Sequence, residues 1–159
     1  MIELPSTKID EKAIKAWRIT SVLKGLPLFI IPGFLYFVYV MGDMPAIVPI
    51  ITAPITLIIY VLIVSLFPKV RWSRWSYDVT EQGVDMHRGI IIRKRTMVPM
   101  NRIQHVDTKQ GPIYRKFGLS SISISTAATT HEIPALDDET AAHLRSLISE
   151  LVRKVQEDV

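Results

Sequence analysis

Residues 25–68 read GLPLFIIPGFLYFVYVMGDMPAIVPIITAPITLIIYVLIVSLFP. From Gly25 to Gly42 there is no Lys, Arg, Asp, Glu or His. Asp43 then stands alone, and Met44 to Pro68 again carries no charge. These are apolar segments of 18 and 25 residues. A bilayer core of about 30 Å needs about 20 helical residues at roughly 1.5 Å each. The stretch therefore reads as a transmembrane helical hairpin turning at Gly42-Asp43. A core helix of a soluble protein rarely runs this far without a polar face. A cleaved signal peptide is disfavoured by the late start of the first segment, the lack of a small-residue cleavage site and the second apolar segment behind it.

The flanks orient the hairpin. Lys8, Lys12, Lys15, Arg18 and Lys24 precede it, Lys69, Arg71 and Arg74 follow it, and the intervening loop holds only Asp43. Basic flanks stay on the cytoplasmic side. Both termini are thus expected in the cytoplasm of a cell-membrane protein, with Asp43 outside. The chain divides into a basic interfacial arm (1–24), the hairpin (25–68) and one cytoplasmic domain (69–159). In the arm, residues 8–24 read as a helix with Ile9, Ala13, Ala16, Trp17 and Thr20 near one face. Trp17, Arg18 and Lys24 before the hairpin, and Trp72 and Trp75 after it, suit an interfacial belt of aromatic and snorkelling basic side chains.

Pro27 and Pro32 lie in the first span, and Pro45, Pro49 and Pro54 in the second. Proline removes a backbone donor and bends a helix, so bent spans packed against another membrane protein or another copy are expected. A transport path through this chain alone is disfavoured, because two helices enclose no pore and neither span holds an ionisable group.

Beyond Trp75 the pattern turns to β. Tyr77 and Val79 alternate with polar residues, and a turn at Thr80 to Gly83 leads into Val84 to Met86. Arg88-Gly89 turns again before a strand expected over Ile90 to Val98. Arg102 to Lys109 alternates, with room for a bulge. Ile113 to Phe117 suits a helical turn. Leu119 to Thr126 puts Ile122 and Ile124 on one face and Ser121, Ser123 and Ser125 on the other, which reads as wet. Thr129 to Pro134 makes a sixth strand. Closely spaced short strands predict a sandwich or barrel. A final helix begins at Asp137 or Asp138, and Ala141, Leu144, Ile148, Leu151 and Val155 form one apolar stripe.

Val98 to Asp107, with Pro99, Arg102, Ile103, Gln104 and Val106, then Gly111 and Pro112, then Phe117 and Gly118, resembles the core motif of the bacterial pleckstrin-homology (YdbS-like) family. Ala16-Trp17-Arg18-Ile19 and the order of arm, hairpin and β domain are similar to it as well. The resemblance covers nearly the whole chain. It implies a pleckstrin-homology-like antiparallel sandwich closed by a C-terminal helix, with membrane location and no established enzymatic activity. The parent fold has seven strands, one more than the pattern supplies.

No catalytic constellation stands out. The chain has no cysteine, which excludes disulfides and thiolate chemistry. His87, His105, His131 and His143 lack metal-ligand spacing, and no phosphate-binding loop or nucleophile elbow occurs. No metal, cofactor or small-molecule substrate is expected. From Lys69 onward 14 basic and 11 acidic residues leave +3, too little for a nucleic-acid footprint. Arg88, Arg93, Lys94 and Arg95, with Arg71 and Arg74, form the candidate lipid- or partner-binding set; on a strand Arg93 and Arg95 share a face. Two readings follow. One is a non-enzymatic, membrane-anchored interaction module within a membrane protein complex. The other is an anionic-lipid-sensing module using the hairpin Arg88–Arg95.

Overall fold

The computed structural model describes residues 7–157. Its helices are α1 (Lys12–Gly25), α2 (Ile30–Val40), α3 (Ile47–Ser73), α4 (Pro112–Lys116) and α5 (Asp138–Glu157). Its strands are β1 (Ser76–Thr80), β2 (Gly83–Arg88), β3 (Lys94–Pro99), β4 (Ile103–Lys109), β5 (Leu119–Thr126) and β6 (Thr130–Asp137). Short 3₁₀ turns at Leu26–Phe29 and Met100–Arg102 join α1 to α2 and β3 to β4. Residues 17–69 form one compact unit, and 7–16 with 70–157 form the other.

In the helical unit the two expected apolar helices are present. The run Lys12–Val40 spans 29 residues and Ile47–Ser73 spans 27, each long and apolar enough to cross a bilayer. The prolines are placed more gently than their number suggests. Pro27 lies at the start of the 3₁₀ turn, Pro32 and Pro49 fall in first turns, and Pro45 precedes α3. At Pro45 and Pro49 the missing N–H has no intrahelical acceptor in any case, whereas Pro27 and Pro32 fall in and just after the 3₁₀ turn that interrupts the first run. Pro54 and Pro68 sit inside α3. Tyr60 joins the two helical runs. Its ring packs edge-on against Phe29 at a centroid distance of 5.1 Å. It also lies so close to Gly25 that an added Cβ would stand 2.7 Å from Tyr60 Cε2.

In the β unit, β1-β2-β3 and β4-β5-β6 are separate antiparallel sheets. Ser76 pairs with His87 and Arg88 with Lys94; β4 carries the anticipated bulge between Ile103 and His105. Met86, Met100, Leu119, Ile122, Ile124, Ile133 and Ile148 fill the core. Helix α5 packs across β4, β5, β6 and the second 3₁₀ turn through Ala141, Leu144 and Ile148. Asp137 caps it weakly, accepting from Glu139 N–H at 3.4 Å. Two small sheets closed by a C-terminal helix make the pleckstrin-homology-like architecture that the resemblance implies. No seventh strand occurs among the described residues; Thr7 instead makes a single antiparallel bridge to Tyr77.

Three local expectations are corrected. The third strand begins at Lys94 rather than Ile90, because a left-handed Gly89 (φ 118°) closes residues 89–93 into a loop despite their β-branched content. The serine face of β5 is not wet. Both α4 and α5 pack against β5, and Ser120, Ser121 and Ser123 are buried along with Ile122 and Ile124. The arm does not stand apart from the β domain, since residues 7–16 belong to the β unit. Asp10 N–H donates to the Ala135 carbonyl at 3.1 Å, and Tyr77 N–H donates to that of Thr7 at 2.9 Å. The expected helix over 8–24 starts only at Lys12; Ile9 ahead of it and Ala13 and Ala16 on it are all buried. Residues 1–6 of the arm lie outside the described residues.

Candidate functional site

The basic loop between β2 and β3 is built by its register. Arg88 and Lys94 are the last paired residues, so Gly89 to Arg93 cross from one strand to the other. A Cβ on Gly89 would meet the Ile92 carbonyl oxygen at 1.9 Å, so only glycine closes the loop this way. Arg93 and Lys94 are exposed and Arg88 is half-buried. Arg93 lies outside the strand and shares no strand face with Arg95.

Arg95 differs from its neighbours. Its Nε donates to Asp85 Oδ2 at 2.8 Å, and Nη2 donates to the same oxygen. The carboxylate side chain is 13% exposed and the guanidinium side chain 37%. The hydrogen bond to Asp85 raises the Arg95 pKa further above its already high value. The pair lies across neighbouring strands, diagonal to the His87–Arg95 partners. Asp85 was not legible as a site residue from sequence. Its signal is the alternation that puts residues 85 and 87 on one face of β2. Asp85 thus neutralises one of the six basic residues assigned to the site.

His131, on β6, also feels the loop. Burial first, then the charges of Arg88 and Lys94, push its imidazole below the ordinary pKa. Arg71 lies in the last turn of α3 and Arg74 just beyond it, both exposed. Because Ser76 pairs with His87, the start of β1 and the basic loop share one end of the sheet.

The tryptophans expected as interfacial anchors are used differently. Trp75 is 4% exposed, a core residue ahead of β1. Trp72 is half-buried, and its indole N–H donates to the Ile9 carbonyl at 3.0 Å, which holds the arm. Trp17 is 6% exposed. The Trp72 ring thus finds its N–H partner inside the protein. Arg18 and Lys24 are exposed.

The motif residues mark a different face. Pro99 ends β3, Arg102 lies in the 3₁₀ turn and Ile103 is buried. Gln104 is exposed and Val106 half-exposed on β4, the edge strand of its sheet. Gly111 and Pro112 start α4, and Phe117 and left-handed Gly118 end it. Behind them a polar knot secures the fold. Gln110 Nε2 donates to Asp138 Oδ1 at 3.0 Å and to the Leu119 carbonyl at 3.1 Å, and Ser120 Oγ donates to Asp138 Oδ1 at 2.6 Å. This explains why a carboxylate at the start of α5 is not its cap. Among the described residues no group of His, Asp and Glu is arranged to hold a metal ion.

The family profile described as "Bacterial PH domain" matches residues 12–152. The UPF0699 transmembrane protein YdbS of Bacillus subtilis (strain 168) is 38% identical over 159 residues, covering 100% of both chains. No solved structure matches significantly. A profile match over most of the chain, a full-length relative and the two-sheet domain closed by a helix agree: this chain is a membrane protein of the bacterial PH domain family.

Proposed function

We propose that the chain is a non-enzymatic, membrane-anchored interaction module, in which the hairpin holds the protein in the bacterial cell membrane and the β domain takes a protein partner at the cytoplasmic surface. The observation that carries this reading is the outer edge of β4. This strand ends its sheet, and most of its residues are exposed from Gln104 to Lys109. No strand among the described residues pairs with that edge. A bare edge offers a row of backbone N–H and C=O groups to an incoming strand, and strand addition to an exposed sheet edge is a recurring mode of peptide recognition. The charge asymmetry of the flanks supports cytoplasmic termini. The partner on this reading is another membrane protein or a second copy.

The test is site-specific photo-cross-linking in native membranes. A benzophenone residue at Gln104 or Asp107 should capture a membrane protein; the same residue at Arg145, exposed on α5, should not. Silence at both β4 positions in expressed, membrane-inserted protein would sink the reading. A second reading, contact with anionic lipid through Arg88–Arg95, is favoured by the absence of any acidic residue between Asp85 and Asp107.

A further inference from the structure

The β unit keeps its apolar residues inside, with one concentrated exception. Among its described residues beyond α3, the exposed large hydrophobic side chains are Ile91, Ile92 and Met97. Ile91 is 93% exposed and Ile92 82%, the highest values of any large hydrophobic residue described. Both sit at the tip of the loop that Gly89 closes. The Ile92 carbonyl fills the space beside Gly89, so the loop is tight and its side chains have no interior to fold into. Adjacent exposed isoleucines at a loop tip call for an apolar occupant.

Charge and topology say which. Arg88, Arg93 and Lys94 surround the tip, and no Asp or Glu occurs from Met86 to Val106. Arg95, the neighbouring cation, is engaged by Asp85 and adds little net charge. An apolar tip inside a basic collar is complementary to a surface that is anionic outside and hydrocarbon within. The pairing of Ser76 with His87 puts this loop at the end of the sheet where the chain arrives from α3. Only Arg74 and Trp75 separate that apolar helix from β1.

We infer that the loop from Gly89 to Arg93 is a membrane-insertion tip: Ile91 and Ile92 enter the headgroup–acyl boundary of an anionic bilayer, while Arg88, Arg93 and Lys94 engage its phosphates. The recognised chemistry is an anionic lipid surface rather than one headgroup. The β domain is thereby pinned at a second point besides its covalent link to α3. This does not depend on what occupies the β4 edge.

The absence of native cysteine makes the test direct. Ile91→Cys carries an environment-sensitive fluorophore in the full chain, reconstituted in vesicles of phosphatidylglycerol and phosphatidylcholine. Ser146→Cys, exposed on α5, carries the same label as control. The loop label should shift to the blue, be quenched by shallow nitroxide lipids and be shielded from iodide. The control should show none of these. Arg93→Gln with Lys94→Gln should reduce the lipid quenching several-fold, and Ile92→Ser should reduce it in vesicles of unchanged charge. Quenching should persist in 1 M salt, where the Debye length is about 3 Å, because insertion buries apolar surface as well as pairing charge. Iodide access equal to the control overturns the inference. So does loss of all lipid quenching in high salt, which would reduce the loop to diffuse attraction. Shielding that disappears as protein is diluted in lipid also overturns it, since a second copy would then be covering the tip.

Discussion

Replacing Ile9 by alanine should destabilise the β domain, although the residue lies more than sixty positions before the first strand. Ile9 is 2% exposed, and its carbonyl accepts from the Trp72 indole while its neighbour Asp10 bonds to Ala135. The substitution removes three carbons from the core, about 2.4 kcal/mol at roughly 0.8 per buried methylene. The space they leave adds about 1 kcal/mol where neighbours do not collapse into it. A loss near 3 kcal/mol lowers Tm by on the order of 10 °C for a domain of this size. The assay is thermal unfolding of the full chain in mild detergent, followed by near-ultraviolet circular dichroism, which reports the buried Trp75 and Tyr77. Met97→Ala, at a side chain 53% exposed, is the matched control and should leave Tm nearly unchanged. If Ile9→Ala melted with the wild type, the arm would be a lipid-surface segment and not part of the β domain.

Arg95→Gln should lower Tm more than the double variant Arg95→Gln with Asp85→Asn, because the single change strands a mostly buried carboxylate whose Oδ1 already lacks a protein partner; equal melting of the two would refute this role. His131 should titrate below the ordinary imidazole value in NMR, and Arg88→Gln should raise it. Since the folded value lies below the unfolded one, the unfolded chain takes the proton first, so this contribution to stability is complete above about pH 6.5 and falls off below it. A His131 value at or above the ordinary one would contradict the field ascribed to the loop. Reporters fused after Val159 and inserted at Gly42-Asp43 should read cytoplasm and exterior respectively, and an exterior C-terminus would overturn the orientation.

The membrane hairpin, the alternating strands and the α5 stripe are determined by the sequence alone, because each is a one-dimensional property. Charge-free length, a period of two and a period near 3.6 need no knowledge of what lies opposite. The family motif is equally legible, being a string of residues. The candidate site is legible only as a basic segment. That Arg95 belongs to Asp85, and that Ile91 and Ile92 are exposed at a loop tip rather than paired in a strand, depends on where β2 and β3 end and how Gly89 closes them. The tryptophans show the same limit. A Trp beside basic residues fits an interface or a core equally well, and the choice was made by Ile9, brought to Trp72 from far along the chain. The serines of β5 appear wet in the pattern because alternation reports one covered face; in the structure both α5 and α4 lie against β5. In each case the deciding quantity is the identity of a distant neighbour, and burial and pairing energies act through space rather than along the chain.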